Sequence, residues 1–269
     1  MDANYRVGAI SALDRARAAL AHEEDCNLRY AALELRMALE CLVYDRAKNY
    51  KEELSNKKLS TWQPRQLLNL LLEIDPFADQ TCTIKIGVES EYSVPAKETI
   101  MRGTDRVISL KEIKENYDSL GSYLHSPTLE QVMAKKCIPG AKLRQKCEKL
   151  IEIIQDVLDS PVWNVNIRNI TSVKCEDCGA DIIRRVPAIV DGPLEATCID
   201  CEASYTITKK SDGKLEWKAK IHKVSCANPE CCGEVNIWER DIKLQKFWRC
   251  DSCDGVNEFA LGVKFLSKS

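Results

Sequence analysis

At 269 residues, with 45% hydrophobic and 30% charged side chains and a formal net charge of −2, the chain has the make-up of a folded globular protein and is too apolar for a disordered one. The length suits two structural regions. No stretch approaches the roughly 18 to 20 apolar residues of a membrane span, and Arg6, Asp14, Arg15 and Arg17 interrupt each apolar run near the start, so no secretory signal is read and a cytoplasmic location is expected.

Helical periodicity dominates the first 160 residues. Leu28, Ala32, Leu35, Leu39 and Leu42 step by four and three on one helix, and Ile10, Leu13 and Leu20 offer a similar face on the helix before it. Residues 60–75 carry a proline near the helical start and apolar residues on nearly all sides, which predicts a central, well-covered helix that stops at Asp75-Pro76. From Thr81 the pattern alternates: Cys82, Ile84, Ile86 and Val88 fall on one side of a strand, and residues 106–108 are its expected partner, giving a β-hairpin inserted near 81–108. Helix resumes with a capping box, Ser109 and Glu112, and the stripe Leu110, Ile113, Tyr117, Leu120 and Leu124. Ser126-Pro127 reads as a fresh helix start. A last helix follows Pro139-Gly140 with the stripe Leu143, Cys147, Leu150, Ile154 and Val157, and ends before Pro161.

Beyond Pro161 short alternating segments replace the helical spacing. Leu215, Trp217, Ala219 and Ile221 alternate with Glu216, Lys218, Lys220 and His222 along what reads as one strand.

The chain holds fourteen cysteines. With no export signal they are not a disulfide framework. Eight repeat one plan. Cys175 and Cys178 precede Cys198 and Cys201; Cys226 and then Cys231 or Cys232 precede Cys250 and Cys253. A tight turn lets two thiolates point inward, and a hairpin brings two such turns together into a tetrahedral site. Gly179 and Gly233 suit the positive φ that such turns use. The pattern resembles tandem zinc ribbons, which implies two structural Zn2+ per chain. Resemblance to ribbons of the type C-x-N-P-x-C favours Cys231 as the second ligand of the second site, whereas analogy with Cys178-Gly179 favours Cys232; Cys231 is the assignment adopted. Cys82 and Cys147 read as core thiols, and Cys26, Cys41 and Cys137 have no partner spacing.

From residue 163 onward sixteen Lys and Arg face sixteen Asp and Glu, and a four-thiolate zinc site adds negative charge, so this region is not a generic polyanion binder. Lys218, Lys220, Lys243, Lys246 and Arg249, near Phe247 and Trp248, are the residues that would line a single-stranded nucleic-acid groove; solvated strand faces explain them equally well.

The segment LRYAALELRMALECLVYDRA, followed by YDSLGSYLHSPTLE, resembles the HEPN-like helical domains of prokaryotic toxin and phage-defence proteins, over residues 25–158. The resemblance implies self-association through the helical domain and a defence or regulatory role. Catalytic members are metal-independent ribonucleases with an arginine four to six residues before a histidine. Here ENYDSLGSYL precedes His125 without an arginine, so the motif is broken. Arg36, Glu40 and Tyr44, one turn apart, could replace it, orienting His125 as a general base or holding a phosphate; the same residues fit an ordinary ion pair along a helix. No G-x-x-x-x-G-K-[ST], H-E-x-x-H or G-x-S-x-G motif occurs.

The expected architecture is therefore multidomain α and β: an all-α helical domain over 1–160 with its hairpin insertion, then small all-β zinc ribbons over 161–215 and 216–269. The expected function is zinc-dependent interaction or scaffolding, with a protein or a single-stranded nucleic acid as partner and no membrane. The alternative is a HEPN-type ribonuclease with a degenerate site.

Overall fold

Small side chains bring the first two helices together. A computed structural model describes residues 4–22, 24–54, 58, 60–88, 90–91, 96–126, 129–133, 140–165, 169–186 and 192–262, and it divides into two units, Met1–Ile167 and Arg168–Ser269. In the first unit α1 (Tyr5–Leu20) and α2 (Asp25–Ala47) run antiparallel, with Tyr5 against Tyr44 at 5.3 Å and Arg15 bonded to Glu34 at 2.8 Å. The buried face of α1 is Ala9, Ala12, Leu13 and Ala16. Of the expected stripe only Leu13 is fully covered. Ile10 is 43% exposed, because the alanines, and Gly8 against Cys41, allow a close helix approach that leaves the bulkier residue outside.

The α2 stripe is as expected: Leu28, Ala32, Leu35, Leu39 and Leu42 are all buried. Full burial of one leucine contributes about 1.5–3 kcal/mol, whereas an exposed pair such as Arg15–Glu34 contributes at most about 1 kcal/mol, so the apolar stripe holds the bundle. Around it pack α3 (Pro64–Ile74), α4 (Leu110–Leu124) and α5 (Gly140–Leu158). The α3 helix is one-sided rather than covered all round: Leu67, Leu68, Leu71 and Ile74 are buried, while Arg65, Gln66, Asn69 and Glu73 face outward. Ser109 and Glu112 form the capping box of α4, and the α5 stripe from Leu143 to Val157 is buried throughout. Arg6 at the start of α1 donates to the last carbonyls of α5 (Val157 and Leu158), and Arg144 near the start of α5 donates to Leu20 and His22 at the end of α1, each cation meeting the negative end of the other helix. A short helical segment, Leu129–Met133, follows α4. Pro127, Cys137 and Pro139 lie outside the described residues.

The hairpin is β1 (Cys82–Ile86) with β2 (Ile100–Asp105), in the register Cys82↔Asp105. The partner strand thus precedes residues 106–108. Ile108 instead turns into the core at 5% exposure. Asp105, at the strand end, is buried with Arg46: Arg46 Nη1 lies 3.0 Å from the Asp105 carboxylate and its Nε donates to the Ala78 carbonyl. The same carboxylate accepts the Val165 amide at 3.0 Å, and Asn164 donates to Asp45. Residues 163–165 therefore pack with the helices, beyond the boundary expected at 160.

The second unit is a series of antiparallel sheets: β3 (Asn169–Lys174) with β4 (Asp181–Val186); β5 (Leu194–Thr197), β6 (Ser204–Lys209) and β7 (Leu215–Ala219) in that order; β8 (Ile221–Ser225) with β9 (Glu234–Trp238); and β10 (Phe247–Arg249) with β11 (Val256–Glu258). The alternation read as one strand across 215–222 is two strands in different sheets. It breaks at Lys220, whose amide still bonds Ser204 while its carbonyl accepts Glu239 of the next hairpin. Accordingly β7 completes the first module, and the second begins at Ile221. Ile182, Ala196, Ala203, Tyr205 and Ile207 form the first module's core, with Trp217 and Trp238 packed on it.

Candidate metal centre

Each of four hairpin turns carries one pair of cysteines, folded on one plan. The Cys175 amide bonds the Ala180 carbonyl, Cys198 bonds Ala203, Cys250 bonds Gly255, and Cys226 bonds Gly233. In the first three turns the residue after the second cysteine takes positive φ: Gly179 at 75°, Glu202 at 64° and Asp254 at 59°. The Cys226 turn is two residues longer, and its closing bond places Cys231 where Cys178 stands, with Cys232 exposed beside it. By this register it is Cys231 that joins Cys226, Cys250 and Cys253. Gly233 does not have a positive φ; its need is steric, since a Cβ there would stand 2.7 Å from Cys250 Sγ.

The turns bring the thiols into two groups of four, Cys175, Cys178, Cys198 and Cys201, and Cys226, Cys231, Cys250 and Cys253, with all sulfurs of a group within 4.8 Å of one another. Representative separations are 3.5 Å (Cys175–Cys201), 3.7 Å (Cys178–Cys198), 3.7 Å (Cys226–Cys253) and 3.8 Å (Cys231–Cys250). Sulfurs about 2.3 Å from a tetrahedral ion stand about 3.8 Å apart, whereas a disulfide would require about 2.05 Å. The donor set therefore fits a metal ion, as zinc-ribbon-like modules would.

Electrostatics agree. Burial opposes the Cys175 thiolate, but the Cys178 and Asp177 amides and the Tyr205 hydroxyl outweigh it and bring the thiol down to about 6. The Ser252 and Cys253 amides bring Cys250 down to about 7. Burial and the neighbouring sulfurs drive Cys201 upward, and at Cys231 the other three sulfurs overcome the Gly233 amide. Four crowded thiols resist joint ionisation, and a bound cation removes that conflict.

Around the sulfurs lie contacts that no spacing announces. Tyr205 donates to Cys175 Sγ at 3.5 Å and accepts the Glu176 amide at 2.8 Å. Arg240, from the second module, donates to Cys201 Sγ at 3.4 Å and to Asp177 at 2.6 Å, and this guanidinium holds the Asp177 carboxyl below the usual range. Asp177 and Arg240 are 63 residues apart, so only folding pairs them.

The cationic candidates are largely paired. Lys220 sits between Glu195 at 2.5 Å and Glu239 at 3.4 Å, Lys246 lies 3.2 Å from Asp241, and Arg249 lies 3.8 Å from Asp254. Lys218 and Lys243 are exposed. The second module also exposes the apolar side chains Ile242, Leu244, Phe247 and Val256. Trp248 packs against Phe259, with ring centres 4.5 Å apart and the rings tilted.

In the helical unit Arg36 and Glu40 meet at Tyr117. The Arg36 guanidinium lies 4.0 Å from the ring centre, Glu40 accepts the Tyr117 hydroxyl at 2.6 Å, and Gly121 leaves room for the arginine. Tyr44 turns away to donate to the Trp62 carbonyl. Burial, then Glu40, pushes its hydroxyl up to about 12. His125 is exposed at the C-terminal end of α4, two turns beyond Tyr117. The structure thus brings Arg36 and Glu40 together through a tyrosine that the sequence placed only on a packing stripe.

Among the described residues no helix is long and apolar enough to cross a membrane. Comparison of the chain with protein-family models, curated proteins and solved structures gave no match, so the HEPN resemblance gains no support there, and metal binding rests on the cysteine geometry.

Proposed function

We propose that the chain is a zinc-stapled interaction or scaffolding protein, each four-cysteine group holding one structural Zn2+ and the second module presenting a contact surface to a protein partner. The observation that carries this reading is the pair of four-sulfur clusters at tetrahedral spacing. Zinc is favoured because all-thiolate tetrahedra suit it and no position is left open for substrate. Cys175, Cys178, Cys198 and Cys201 hold the first ion, and Cys226, Cys231, Cys250 and Cys253 the second. The metal supplies cross-links; recognition falls to the surface. A protein partner is favoured over a single strand because Lys220, Lys246 and Arg249 are ion-paired, while Ile242, Leu244, Phe247 and Val256 are exposed. The defence or regulatory setting implied by the HEPN resemblance, and self-association through the helical domain, would follow from the identity of that partner.

Elemental analysis of the purified chain is the direct test. Two zinc ions per chain are expected, and none would end the reading. Binding of labelled single-stranded RNA across a salt series separates the partners: steep salt dependence marks phosphate contacts, and no binding at low salt leaves the protein partner. The ribonuclease alternative requires metal-independent cleavage that His125→Ala abolishes. It is not preferred, because the Glu40 carboxylate is already engaged by Tyr117.

A further inference from the structure

The structure assigns Arg240 as a positioning residue for the first metal site, so that the second module forms part of the first site's surroundings. The inference rests on the metal-binding reading above and deepens it. Four thiolates around a divalent ion leave a net charge of about −2, which a nearby cation stabilises where water is partly excluded. Arg240 is placed to do so: its side chain is 19% exposed, with Nη1 3.4 Å from Cys201 Sγ and Nη2 2.6 Å from Asp177, which lies between two ligands in the Cys175–Cys178 turn. One planar guanidinium therefore bridges both halves of the site, a geometry that lysine's point charge cannot reproduce.

A second contact runs parallel to it. Trp238, two residues before Arg240 at the end of β9, packs 5.6 Å from the Tyr205 ring, and Tyr205 donates to Cys175 Sγ. The Arg240 guanidinium lies over Trp238, 5.4 Å from its ring centre. Two ligands of the first site, Cys175 and Cys201, are thus oriented by a patch built on the second module's first hairpin. Partners that orient metal ligands commonly govern affinity 10- to 100-fold.

The test uses the full chain loaded with two ions per chain. On challenge with excess chelator, Arg240→Ala should release one ion on the order of 10- to 100-fold faster than the parent, with the other leaving at the parental rate. With 113Cd in both sites, the same change should move one resonance and leave the second in place. Arg240→Lys keeps the charge and the aliphatic stem, and should shift the same single resonance with a smaller gain in release rate; it carries the test if the alanine variant fails to fold. Asp177→Asn should act on the same ion. Unchanged release of both ions, or equal acceleration of both, overturns the assignment. A parent chain without metal would instead end the metal-binding reading itself.

Discussion

Losing the second metal ion should unfold the second module while the first stays largely collapsed. Within residues 221–262 the buried side chains are Ile237, Cys250 and Asn257, so Ile237 is the one buried aliphatic among the described residues there. Its burial contributes about 1.5–3 kcal/mol, against roughly 10–16 kcal/mol for a structural zinc and about 5–15 kcal/mol for the net stability of a whole domain. The ion therefore outweighs everything else in that module. The first module should keep Ile182, Ala196, Ala203, Tyr205 and Ile207 packed together, since all five lie outside residues 221–262. Cys253→Ser isolates the effect better than chelation, which empties both sites. Limited proteolysis read by mass spectrometry should show new cuts confined to 221–262, and tryptophan fluorescence should report the exposure of Trp248 as it leaves Phe259. Because Trp238 and Arg240 lie in that stretch, the first ion should also become easier to extract. A Cys253→Ser chain as protease-resistant as the parent would refute the reasoning.

Other consequences are local. Asp105→Ala strands the Arg46 charge in the helical core, where both are buried, and should cost about 3–5 kcal/mol by denaturant unfolding of that unit; Asp105→Asn, which still accepts the Val165 amide, should cost less. Ser109→Ala removes half of the capping box on α4 and should lower stability by about 1 kcal/mol. Gly233→Ala puts a methyl 2.7 Å from Cys250 Sγ and Ser252 Oγ, so zinc content should fall from two toward one. Ligands must be thiolates, so metal release takes up protons and both ions should be held less tightly as pH falls; a zinc-indicator titration downward from neutral pH reads this directly.

Helix positions were legible because burial follows a 3.6-residue period: every member of the α2 and α5 stripes is buried. The errors came where periodicity says nothing about neighbours. Ile10 lies on a face that α1 does not use, since alanines and Gly8 make the closer approach. Alternation across 215–222 was correct in phase for β7, but a strand can change partner without changing its side-chain rhythm, and only hydrogen bonding at Lys220 marks the change.

The cysteine spacing by itself determined that there are two groups of four thiols able to hold a metal ion, because a turn of fixed length can aim a pair of sulfurs at one point without help from distant chain. Even the second, irregular site was within reach of its local pattern. What only the tertiary structure decided is which groups meet without local spacing: Tyr117 between Arg36 and Glu40, and Arg240 with Trp238 against the first site. Such pairings depend on how sheets and helices pack on one another, and packing brings together residues whose separation along the chain carries no signal.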